Sequence, residues 1–224
     1  MNEHANVSIE RPRTKNRIRS VAQAVNQFMN EHGREALFVY KNKADTSFPR
    51  NKYFSFKKNE GVDVKCRSKH ELLSMPYILS DINSRRGGYK IFVADFFSRN
   101  AVKILDSIIQ NGSVRGLESK LVFEHVNPCK EIYNDLRSKK DVCNEESLND
   151  FFEERLFVAI LTKEENAIVN KTKINGMSLV SHRPDARLFS RYLSANEHNN
   201  AGIELFMPNE RHRQALISTQ FPRL

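Results

Sequence analysis

The sequence predicts an α/β or α+β fold: a mixed central sheet with flanking helices and a basic, arginine-rich C-terminal region. Three observations carry this expectation. Two largely apolar runs, Tyr89–Asp95 and Leu156–Leu161, have the length of buried strands. Apolar residues recur at three- and four-residue steps in Ile18–Met29 and again in Ala101–Ile109. Segments of the two kinds then alternate along the chain, the pattern of helices layered on a sheet.

The elements follow in order. Residues 1–15 are polar, with Arg11, Arg13 and Lys15 close together, and read as a basic flexible arm. Residues 16–175 read as the α/β core. Its first helix carries Ile18, Val21, Val25 and Phe28 on one face and ends at Gly33. Leu37–Tyr40, Tyr53–Phe56 and Val62–Cys66 read as short strands. Ser68-Lys-His-Glu71 has the spacing of a capping box, and the helix it opens should kink or restart at Pro76. Tyr89–Asp95 is a strand, and Asn100 can cap the helix that follows. Leu117–Val126 reads as the next strand, with Glu118, Lys120 and Glu124 on one face. Helices are expected over Cys129–Leu136 and near Leu148–Phe152, then a strand at Leu156–Leu161. Residues 176–224 form an arginine-rich region packed on the core.

The chain has 224 residues and a formal charge of +9, with 39% hydrophobic and 28% charged residues, the composition of an ordinary globular protein. Such a charge favours an acidic partner, nucleic acid first and DNA before RNA. Homodimerisation or a place in a larger complex is compatible with it. No stretch approaches the ~18 apolar residues that span a bilayer, and the first residues lack a secretory signal's apolar segment. Cys66, Cys129 and Cys143 sit at no metal-ligand or redox spacing. They read as reduced thiols in a cytoplasmic chain, with no structural zinc site.

Arg13, Arg17, Arg183, Arg187 and Arg191 are the candidate phosphate contacts, because guanidinium forks match phosphate geometry. Arg17 and Arg19 sit in a first helical turn, where the helix dipole disfavours cations, so an anion nearby would explain them; plain solvation is the simpler account. Arg183, Arg187 and Arg191 recur every fourth residue and should form one exposed row.

Asp106, eleven intervening residues and then Glu118-Ser-Lys120 form the motif Asp…Glu-x-Lys. With Leu105 where proline is preferred, this resembles the PD-(D/E)XK nuclease superfamily, which includes many restriction enzymes, over residues 68–162. The resemblance implies Asp106 and Glu118 as Mg²⁺ ligands on neighbouring strands, Lys120 as the catalytic lysine and Glu71 as an added acidic residue. It therefore implies a Mg²⁺-dependent endonuclease. Glu124 can stand for the motif's Glu, with Val126 then in place of the lysine. Residues 101–109, however, fit a helix better than a strand. The strands around them would then be parallel, and ligands would bind beyond their carboxyl ends. Asp95 and Glu124 become the metal-holding pair in that arrangement, so Glu124 serves both.

Glu124-His125-Val-Asn-Pro128 also resembles the opening of His-Asn-His nucleases, with Asn196, His198 and Asn199 as the available partners. A core histidine is the plainer reading of His125. Cys66 and His70 are four apart, with no third group to orient them as a nucleophile pair. No phosphate-binding glycine loop and no His-Glu-x-x-His motif occurs. The alternative to a nuclease is a non-catalytic regulator or effector that binds nucleic acid or a protein.

Overall fold

The computed structural model describes residues 15–38, 54–57, 63–66, 68–79, 94–110, 117–174, 177–178 and 189–206. Helix α1 (Lys15–His32) is followed by a 3-10 turn (Arg34–Leu37). Strands β1 (Phe54–Lys57) and β2 (Asp63–Cys66) form an antiparallel pair, and α2 (Lys69–Leu79) follows. Then come β3 (Phe96–Ser98), α3 (Arg99–Gln110), a single helical turn α4 (Leu117–Lys120) and β4 (Leu121–His125). Helices α5 (Cys129–Ser138) and α6 (Glu145–Arg155) lead to β5 (Val158–Thr162) and α7 (Lys163–Lys171). A two-residue pair, β6 (Lys173–Ile174) and β7 (Met177–Ser178), precedes α8 (Ser190–Asn199) and β8 (Leu205–Phe206).

The main sheet has the order β4-β5-β3-β8. Strand β5 is parallel to β3 and antiparallel to β4, and β8 is antiparallel to β3. The sheet is therefore mixed and flanked by helices, as the sequence predicts. Every residue of β5 is buried, which its unbroken apolar run requires of a strand covered on both faces. Its side chains alternate in destination. Val158 joins the cluster of Ile18, Phe28, Leu72, Leu136 and Phe152, and Ile160 meets Ala101 and Leu105 of α3. Ala159 and Leu161 point to the opposite cluster, with Phe96, Val169, Tyr192 and Ala195. Through Tyr192, Ala195 and β8, the described part of the arginine-rich region is built into the core.

Local signals explain the helix ends. Helix α1 stops at Gly33, whose φ of 80° suits a residue without a Cβ. Asn144 and Ser147 form a reciprocal cap on α6, and Thr162 and Glu165 do so on α7. Ser68 Oγ accepts from Glu71 N at 3.2 Å, the expected first half of the box on α2.

Several expectations are corrected. Helix α2 runs through Pro76 without restarting, because Leu72, Leu73, Tyr77 and Ile78 on both sides of it are buried. The strand expected at Leu37–Tyr40 begins instead as the 3-10 turn, tied by Ala36 N to Gly33 O and anchored by buried Leu37; residues 39–40 lie outside the described residues. Residues 89–93 also lie outside them; of the strand expected at Tyr89–Asp95, Ala94 and Asp95 are not extended, and the described strand is Phe96–Ser98. The cap of α3 is Ser98, whose Oγ accepts from Ala101 N, and Asn100 donates to Glu165 instead. Residues 117–120 coil into α4, so only Leu121–His125 is extended.

Candidate functional site

The carboxyl end of β4 is where chemistry-bearing side chains meet. His125 is the last residue of β4, buried, and paired with Val158 in the sheet. Asn127 and Pro128 then turn the chain. Asn127 Nδ2 donates to Arg155 O at 2.6 Å, and Pro128 O accepts from Glu131 N and Ile132 N. This turn starts α5 at Cys129, one helical-type step from His125. Helix α2 arrives from the side and presents His70 in its first turn. The His70 and His125 rings meet edge to face with centroids 5.0 Å apart. One ligand atom from each of His70, His125 and Cys129 lies within 4.8 Å of the other two. Among the described residues this is the only such grouping of three or more His, Cys, Asp or Glu side chains.

Glu124 faces away from His125, as neighbours in a strand do. Its Oε1 accepts from Arg191 Nη1 at 3.1 Å, and the same nitrogen donates to His125 O at 3.1 Å. The Arg191 side chain is 1% exposed and that of Glu124 21%. Nε and Nη2 of Arg191 and the hydroxyl of Tyr192 are buried without a hydrogen-bond partner among the described residues. Burial pushes the Cys129 thiol well above the ordinary thiol range, and the Glu124 carboxylate pushes it further. Burial likewise raises the Tyr192 phenol.

The residues expected to carry chemistry are placed differently. Asp106 is half-buried on α3, and Glu118 and Lys120 are in the turn α4, so no strand hairpin carries Asp…Glu-x-Lys. The helical periodicity of 101–109 prevails over the motif. Asp95 lies at the amino end of β3, not at a carboxyl end. It reaches the same sheet end as His125 because β4 runs antiparallel to β5. Its carboxylate is engaged there: Oδ2 accepts from Tyr77 Oη at 3.0 Å and from Val158 N at 2.8 Å. Arg191 is not an exposed phosphate contact, since Glu124 draws it inside. Arg17 is buried too, with its guanidinium carbon 6.0 Å from the Tyr77 ring centre. Arg13, Arg183 and Arg187 lie outside the described residues. Asn196 exchanges two hydrogen bonds with the backbone of Ile203, and Asn199 donates to Thr172, so both serve the fold around α8.

Mg²⁺ takes oxygen ligands, often one or two carboxylates with waters, and no group of three carboxylates converges among the described residues. Asp95 is committed to Tyr77 and Val158, and Glu124 to Arg191. The assembled donors are two imidazoles and a thiol. The sequence holds only a partial signal for them: His125 and Cys129 are four apart, and the turn through Asn127 and Pro128, not a helical repeat, brings them together. His70 could not be read in this way, because 55 positions separate it from His125. No protein-family model, curated protein or solved structure matches this chain.

Proposed function

We propose that this protein acts on nucleic acid as a metal-dependent phosphodiesterase, an endonuclease, with its reaction centre at the carboxyl end of β4. The observation that carries the reading is the convergence of His70, His125 and Cys129 beside the Glu124–Arg191 pair, in a chain of charge +9. Imidazoles accept and deliver protons near neutral pH. Polyanion attraction comes from the surface charge. Lys130, exposed and next to Cys129, and Lys69, next to His70, set cations on the flank of this centre. The cysteines are free and suit a cytoplasmic setting. No helix among the described residues is long and apolar enough to cross a membrane.

The ion pair of Glu124 favours a second reading, a non-catalytic nucleic-acid binder, because it occupies the carboxylate that a nuclease site would use. The experiment is direct. Purified protein is incubated with supercoiled, linear and single-stranded DNA and with RNA, in Mg²⁺, Mn²⁺ or Zn²⁺. Nicking that disappears in His125→Ala, with the substituted protein still folded by circular dichroism, supports the nuclease. Binding without cleavage under every condition leaves the binder.

A further inference from the structure

We propose that His70, His125 and Cys129 form a site for a thiophilic divalent cation of the Zn²⁺ type, in place of the Mg²⁺ the sequence suggests. This deepens the reading above and rests on it for catalytic meaning, though the site itself is independent of it. Two nitrogens and one sulfur are the donors zinc prefers, at roughly 2.0–2.3 Å, and Mg²⁺ rejects them. The three ligand atoms already lie within 4.8 Å of one another. His70 is exposed, so its ring can turn to close the remaining distance.

The scaffold is firm where it must be. His125 is fixed in the sheet, its carbonyl held by Arg191, and Cys129 by the turn through Asn127 and Pro128. Each of the three ligands comes from a different element: α2, β4 and α5. Three protein ligands leave a fourth position open, the arrangement in which zinc keeps a water.

A thiol nucleophile explains the cluster less well, because a nucleophilic thiol needs one base, whereas two imidazoles converge on Cys129. A bound metal deprotonates a coordinating thiol outright. Binding must then release a proton and tighten as pH rises.

The test uses the full chain without a histidine tag, stripped by chelator and titrated with Co²⁺ as the probe. The expected result is one Co²⁺ per chain, a thiolate-to-cobalt charge-transfer band, release of about one proton, and displacement of Co²⁺ by Zn²⁺ but not by excess Mg²⁺. Cys129→Ser should remove the band. His70→Ala, at an exposed position, should keep the fold and weaken Co²⁺ binding at least about 100-fold, beyond the ~10–100-fold typical of an outer partner. No charge-transfer band, a band that survives Cys129→Ser, or unchanged affinity in His70→Ala each overturns the site. Stoichiometric Co²⁺ in a chain that cleaves nothing overturns the nuclease reading and leaves the site. Cleavage with Mg²⁺ that persists in His70→Ala, in a chain that takes up no Co²⁺, overturns the site and leaves the nuclease reading.

Discussion

Arg191 Nη1 sits 3.1 Å from Glu124 Oε1, joining α8 to β4 across 67 positions of the chain, with the guanidinium sealed from water. A buried cation held by one carboxylate depends on it. Glu124→Gln leaves that cation uncompensated and should cost about 3–5 kcal/mol in urea unfolding. Adding Arg191→Met to it should recover part of the loss, since neither charge is then buried. An unfolding midpoint unchanged by Glu124→Gln would show that the pair does not hold α8 in place. Any activity measured on Glu124→Gln must therefore be read beside its stability.

Nucleic-acid binding should fall steeply with salt, because neutralised phosphates release counterions. Lys130→Gln, beside Cys129, should weaken binding evenly across sequences and lower the salt slope by about 1. Fluorescence anisotropy at several salt concentrations checks both. Binding without salt dependence removes the polyanion argument.

The three thiols should differ in reactivity. Burial, and then the Glu71 carboxylate, push the Cys66 thiol up from 9.0 to about 12. Cys129 is raised still further by burial and Glu124. Exposed Cys143 should take iodoacetamide first at pH 8, half-buried Cys129 more slowly, and buried Cys66 only on unfolding. A thiol whose folded pKa is raised stabilises the protein fully below the unfolded value, 9.0 for Cys66. That contribution is lost as pH rises towards about 12. Metal-free protein should therefore unfold at lower urea as pH climbs above 9. A flat profile there, or labelling of all three thiols at one rate, contradicts the burial of Cys66.

Glu165 is buried and accepts from Ser98 Oγ at 2.5 Å, Asn100 Nδ2 at 3.0 Å and Thr162 N at 2.9 Å. One carboxylate thus fastens the starts of α3 and α7 together at the ends of parallel β3 and β5. Glu165→Ala removes a cap and strands the Ser98 hydroxyl, and should cost about 2–4 kcal/mol. Glu165→Gln, which keeps an acceptor, should cost less. Equal losses in the two would mean that charge, not hydrogen bonding, does the fastening.

The helices were legible where one face pattern was strong, as in Ile18–Phe28 and Leu105 with its neighbours, because periodicity is local. The strand β5 was legible because its apolar run has no polar interruption. Leu117-Glu-Ser-Lys120 misled, since a four-residue stretch before an apolar run fits a strand end and a helical turn equally well. The burial of Arg191 was hidden in principle. Its fourth-residue spacing from Arg183 and Arg187 is local in the sequence, while its partner is a strand residue 67 positions earlier. The His70–His125–Cys129 grouping was half visible, in the four-residue step between His125 and Cys129.

The position of α8 in the chain sets an order of events during synthesis. Chains emerge from the amino end, so β4, β5 and α7 are available to pair before residue 190 exists. Until α8 docks, the Glu124 carboxylate faces solvent instead of a guanidinium. Phe157, Leu161 and Val169 also lack the cover that Tyr192 and Ala195 supply. The nascent molecule thus has a nearly complete sheet with one greasy, acid-edged face open. That interval is when a chaperone has a surface to hold and when two half-made copies have a reason to stick.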